Sequence, residues 1–128
     1  MPALPDPGAS RILVVDDDPA TRRALDRILT SKGYTVRVAT DGEDALRILE
    51  QESFDLAILD YIMPGVSGAV VGMHLRERWP SVRIIYSSGY AQIDDSIAAT
   101  SRGTHFIAKP VDAQKLVELV RRVLGGAS

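Results

Sequence analysis

Apolar residues fall along this chain in two kinds of segment, and the two kinds alternate. One kind is short and apolar at nearly every position, which suits a strand buried on both faces of a sheet. The other is longer and repeats its apolar positions at three and four residues, which suits a helix packed by one side. Arg11–Val15 is the first short run, and it ends in acid. Asp18 followed by Pro19 predicts a helix start, with Asp at the N-cap and Pro at the first helical position. Leu25, Ile28 and Leu29 carry the helical spacing, and Gly33 predicts its end. Tyr34–Ala39 is a second predicted strand. Asp41-Gly42 then turns the chain into a second helix with Ala45, Leu46 and Leu49 as its inner stripe.

Phe54–Leu59 predicts a third strand, again followed by an acid, Asp60. Pro64-Gly65 is a turn, and a third helix is predicted over Gly68–Arg78, closed by Pro80. Val82–Tyr86 is the fourth strand, Gln92–Ser101 a shorter fourth helix ended by Gly103, and Thr104–Ala108 the fifth strand. Lys109-Pro110 breaks that strand. Asp112 caps a last helix with Leu116, Val120 and Val123 on one side, and Gly125-Gly126 finishes it. Strand-then-helix units joined by short connections predict an α/β fold with a five-stranded parallel sheet covered on both faces. Residues 1–10, with Pro2, Pro5, Pro7 and Gly8, are expected to be a flexible lead-in. Residues 11–124 are expected to form one domain, and residues 125–128 a short tail.

Composition narrows the function classes. The chain has 128 residues, 45% of them hydrophobic, enough for a core at this size. Fifteen basic against 17 acidic side chains give a formal charge of −2. That balance excludes the bulk basic field of a nucleic-acid wrapper and a polybasic membrane patch. There is no cysteine, which excludes disulfide scaffolds, thiolate zinc sites, iron–sulfur clusters and cysteine nucleophiles. No apolar run approaches the ~20 residues of a membrane span. No signal pattern opens the chain, so the cytoplasm is the expected compartment.

The chemistry gathers at the strand ends. In open α/β sheets ligands bind outside the carboxyl ends of the strands. Here strand one ends at Asp16-Asp17, strand three at Asp60, strand four at Ser87-Ser88 and strand five at Lys109. Clustered carboxylates repel one another and invite a hard cation. An open rim with few ligands suits Mg²⁺, which keeps several waters and favours phosphate oxygens. Beside that ion Asp60 can act as a nucleophile toward a phosphoryl group. Ser88 can donate a hydrogen bond to the phosphoryl, and Lys109 is a compact charge suited to another of its oxygens.

With these residues in place, the chain resembles a response-regulator receiver domain of two-component signalling. The motifs that carry the resemblance are Ile12-Leu-Val-Val-Asp-Asp17, Leu59-Asp-Tyr-Ile-Met-Pro-Gly65, Tyr86-Ser-Ser-Gly-Tyr90 and Ala108-Lys-Pro110. They stand in family order, and the resemblance covers Arg11 to Leu124. It implies a flavodoxin-like, doubly wound (βα)5 fold with strand order 2-1-3-4-5. By position, Asp60 resembles the phosphoacceptor, and Asp16 and Asp17 the acidic pair that holds Mg²⁺ with Asp60. Ile62 would lend the metal its backbone carbonyl. Ser88 resembles the switch hydroxyl, Phe106 the switch aromatic and Lys109 the phosphate-binding lysine. Lys109-Pro110 is the expected cis peptide.

The resemblance implies a signalling switch, not an enzyme. A histidine kinase or phosphotransfer protein would supply the phosphoryl group, transfer would be self-catalysed, and self-dephosphorylation slow. Ile62 and Tyr90 flank the site and cannot activate water as an acid or amide can. The output would pass through the face of helix four, strand five and helix five, about Gln92 to Leu124, to an output protein or a second copy. No direct nucleic-acid or membrane contact is expected. The chain is expected to be a single-domain regulator or a receiver excised from a longer protein. The Ser-Gly-Tyr run resembles receivers attached to hybrid histidine kinases.

The family pattern is departed from in three places. Phe106 stands where Tyr is frequent, Val111 replaces a common Phe, and Gly103 to Lys109 is one residue short. Ser87 rivals Ser88 as the switch hydroxyl, and Ser88 is preferred because Gly89 follows it. Two other functions compete. A phosphate-independent interaction module would keep the fold without the chemistry. A small haloacid-dehalogenase-like phosphatase would use Asp16 as its nucleophile, but the one later acidic pair that could close its pattern, Asp94-Asp95, precedes Lys109 instead of following it. Plainer roles suffice elsewhere. Asp18 is a helix cap, His74 and His105 are too isolated for a metal site, Trp79 packs at a helix end, and Arg22-Arg23 and Arg121-Arg122 are solvated helix faces.

Overall fold

The structure is a computed structural model that describes residues 10–89 and 104–125. Its elements are β1 (Arg11–Val15), α1 (Pro19–Ser31), β2 (Thr35–Ala39), α2 (Gly42–Gln51) and β3 (Leu56–Asp60). They continue as α3 (Gly68–Arg78), β4 (Arg83–Ser88), β5 (Thr104–Ala108) and α4 (Ala113–Gly125). The helix predicted over Gln92–Ser101 lies outside the described residues. All strand pairs are parallel, and the sheet order is β2-β1-β3-β4-β5. This is the flavodoxin-like, doubly wound order.

Burial follows from position in that order. The central strand β3 is buried at all five positions, whereas the edge strand β2 is exposed at Thr35 and Arg37. Side chains alternate across the sheet. On one face Leu13, Val15, Ala57, Leu59 and Ile84 pack against Ala45, Ile48 and Leu49 of α2 and Val71 and Leu75 of α3. On the other, Ile12, Val14, Ile58, Ile85 and Ile107 pack against Leu25 and Leu29 of α1 and Leu116, Leu119 and Val120 of α4. Two layers of helix therefore hold every strand end in a fixed register.

The caps are set locally. The Asp18 carboxylate accepts from Thr21 N at 3.2 Å, Asp41 from Asp44 N at 2.8 Å, and Asp112 from Lys115 N at 3.0 Å. Ser67 caps α3 by accepting from Val70 N at 3.3 Å. After α1 the backbone turns through Gly33 at φ 95°, a conformation that side chains disfavour.

Some bounds differ from the sequence pattern. β3 begins at Leu56 and includes Asp60, which pairs with Ser87. β4 runs on through Ser88, because Lys109 N bonds to Ser88 O at 2.8 Å and extends the ladder. In α2, Ile48 joins the core and Leu46 is only partly buried, because Ala45, Ile48 and Leu49 fall on one side of the helix. No helix among the described residues is long and apolar enough to cross a membrane.

Candidate functional site

The sheet order changes direction of growth between β1 and β3, and such a switch point opens a crevice at the carboxyl ends of the strands. Asp16 follows β1, Asp60 ends β3, and Lys109 follows β5. Asp16 is 1% exposed and Asp60 6%, whereas Asp17 faces solvent. One carboxylate oxygen from each of Asp16, Asp17 and Asp60 lies within 4.8 Å of the others. Lys109 reaches across β4 to them. Its Nζ is 3.0 Å from Asp16 Oδ2 and 3.2 Å from Asp60 Oδ2.

This arrangement is short of positive charge. Burial, with the Asp16 carboxylate beside it, pushes the Asp60 carboxyl up to about 6, against the opposing pull of Lys109. Burial also works against the charge on Lys109, but Asp16 and Asp60 outweigh it and hold the ammonium above its ordinary value. Asp16 Oδ1 accepts from Asp18 N at 2.9 Å. Asp16 Oδ2 is buried and, apart from the ion pair with Lys109, has no aligned hydrogen bond among the described residues. Three converging carboxylates, one oxygen left so, and one ammonium fit a hard divalent cation such as Mg²⁺.

The other expected residues surround this centre. Ser88 is buried at the end of β4. Ile62 lies just after β3 and is 58% exposed. Phe106 in β5 is partly buried and stacks on Tyr86, with ring centroids 5.4 Å apart, while Tyr61 meets both rings edge-on. The Lys109–Pro110 peptide bond is cis. Tyr90 lies outside the described residues, as does the first part of the expected output face.

Four contributing residues escaped the sequence pattern. Arg22, expected on a solvated face, is half-buried and donates from Nη1 to the Asp16 carbonyl at 2.7 Å. Gly68 lies against the Asp60 carbonyl, and a Cβ there would collide with it. Tyr61 and Tyr86 complete the aromatic row beside Phe106. Arg22 is six positions after Asp16, and the strand-to-helix turn brings them together.

A parallel sheet of this order, with acids after β1 and at the end of β3 and a lysine after β5, is the arrangement on which the resemblance to a receiver domain rests. The family model for the response regulator receiver domain matches residues 12–121. The chain belongs to that family. It is 35% identical over 112 residues to the transcriptional regulatory protein GlrR of Escherichia coli (strain K12), covering 87% of this chain and 25% of GlrR. The chain thus spans a quarter of that relative's length. Among solved structures, a CheY-like receiver domain protein from Methanospirillum hungatei JF-1 superposes with a TM-score of 0.84 at 31% identity, over 93% of this chain and 96% of that one. TrrA of Thermotoga maritima, solved in complex with Mg(2+)-BeF, gives a TM-score of 0.79 at 32% identity, over 89% and 98%. Receiver domains are signalling modules.

Proposed function

We propose that this chain is a phosphoacceptor switch in which Asp60 takes a phosphoryl group from a phosphohistidine. The observation that carries the proposal is the convergence of the Asp16, Asp17 and Asp60 carboxylates within 4.8 Å, with Lys109 Nζ on two of them. The donor is a histidine kinase or phosphotransfer protein in the cytoplasm. The P–N bond of the donor breaks, its electron pair returns to the imidazole, and an Asp60 carboxylate oxygen forms the new P–O bond. Transfer is self-catalysed by the chain's own groups.

Asp16, Asp17, Asp60 and the Ile62 carbonyl would hold Mg²⁺. The ion supplies charge neutralisation for the incoming phosphoryl oxygens. Lys109, already drawn toward Asp60, binds one of those oxygens, and Ser88 donates to another. Arg22 holds the Asp16 carbonyl and so fixes the acidic turn. Movement of Ser88 toward the phosphoryl frees space for Phe106, which alters the face of β5 and α4. An output protein or a second copy of the chain then binds that face. A modification shifts such an equilibrium only by its differential contacts in the two states, here the bonds to Ser88 and Lys109.

Intact-protein mass after incubation with acetyl phosphate and Mg²⁺ tests this. The expected result is one added phosphoryl that requires Mg²⁺ and is lost in Asp60→Asn. Turnover that survives Asp60→Asn but not Asp16→Asn would point to a phosphatase. No adduct on a folded, Mg²⁺-binding wild type would leave a phosphate-independent module.

A further inference from the structure

Ser87 stands out as a buried nucleophilic group that the mechanism above does not use. It is 1% exposed, and its Oγ has no hydrogen-bond partner among the described residues. Both strands beside it are fixed, by Tyr61 N on Ser87 O and by Lys109 N on Ser88 O, each at 2.8 Å. A buried hydroxyl without a partner is disfavoured, so its retention calls for a reason.

The sheet register says what the hydroxyl faces. Val14, Ile58, Ile85 and Ile107 pack on the face covered by α1 and α4. Alternation with period two places Asp16, Asp60, Ser87 and Lys109, each two residues further on, over that same face. Ser87 pairs with Asp60 on β3 and with Ile107 on β5. Asp60 is thus its one polar partner in register among the described residues. Lys109 crosses β4 above it to reach Asp16 and Asp60. Ser88 belongs to the other alternation, with Tyr86 and Phe106.

We infer that the Ser87 hydroxyl is a second hydrogen-bond donor to the group carried on Asp60, used only once Asp60 is occupied. In the unmodified chain, Lys109 satisfies the carboxylate and the hydroxyl stays idle. A phosphoryl group adds three acceptor oxygens and redirects Lys109 to one of them. Ser87 then donates from below β4's end while Ser88 donates from the opposite alternation. The inference rests on the phosphoacceptor reading of Asp60.

The test uses Mg²⁺ with beryllium fluoride, a tetrahedral complex shaped like a phosphoryl group, titrated calorimetrically into wild type, Ser87→Ala and Ser87→Cys. Cysteine fills the space but is a weak donor. Both variants are expected to bind the fluoride complex about tenfold more weakly, the loss of one charge-assisted bond. Their unliganded thermal midpoints are expected to equal or exceed that of wild type, because an idle buried hydroxyl is removed. Wild-type affinity in Ser87→Ala would overturn the inference alone. So would a loss in Ser87→Ala that Ser87→Cys restores, since packing would then explain it. A wild type that binds Mg²⁺ but no fluoride complex would overturn the phosphoacceptor reading and this inference with it.

Discussion

Asp60 is surrounded by more negative charge than one lysine offsets, and that imbalance sets its behaviour with pH. Its carboxyl sits at about 6, against 3.8 for the ordinary group, because of burial and then of Asp16. Between those values the folded chain holds a proton that the unfolded chain has released, so metal-free stability falls as pH rises through this window. Asp60→Asn removes the charge and flattens the decline. At pH 7.5 the variant is expected to be more stable to urea, by on the order of 1 kcal/mol after solvent screening. Protons and Mg²⁺ compete for the same oxygens, so Mg²⁺ affinity in the wild type is expected to drop as pH falls below about 6. An affinity flat from pH 5 to 8 would contradict the charge balance drawn here. Ile62 is 58% exposed, two positions after Asp60, and has no group that orients water. The phosphoryl is therefore expected to hydrolyse slowly, and Ile62→Gln to shorten its lifetime several-fold by timed mass measurement.

The elements bring these residues together through close backbone packing as much as through apolar faces. α3 starts at Gly68 directly against the Asp60 carbonyl. Gly68→Ala is expected to displace α3 from β3, to cost about 1–3 kcal/mol in urea unfolding, and to lower phosphorylation of Asp60. Unchanged stability would mean that α3 yields without strain. Much of this architecture was legible in the chain. β1, β5 and α3 lie where their runs of apolar residues and punctuating Gly and Pro put them. The acids and the lysine at the strand ends gave the site, because the pattern of a parallel sheet already says which ends converge. The rest depends on three-dimensional context. Asp60 belongs to β3 because Ser87 pairs with it from a strand far away in sequence. Arg22 sits in an ordinary helical pattern of charge, and only the turn after Asp18 brings it to the Asp16 carbonyl. The idle hydroxyl of Ser87 is visible only from register and burial.

At the scale of the whole molecule, two helical layers clamp a sheet whose carboxyl ends carry the acids and the lysine of the candidate site. An ion that binds the folded chain and not the unfolded one raises its stability by mass action, about 2.7 kcal/mol at a hundredfold excess over Kd. Mg²⁺ is accordingly expected to raise the thermal midpoint of the wild type and to leave Asp16→Asn nearly unmoved. Equal shifts in both proteins would place the ion elsewhere. Under the proposed function, a phosphoryl group on Asp60 would bias the same molecule through Ser88, Lys109 and the aromatic row at Phe106. Under the proposed function, the phosphoryl resides on one carboxylate at the end of β3. Reduction of the phosphorylated chain with borohydride, which converts an acyl-phosphorylated aspartate to homoserine, followed by peptide mass mapping, locates it directly. Homoserine is expected at position 60 and nowhere else. Homoserine at position 16, or none in a chain that has gained the mass of a phosphoryl group, would contradict it.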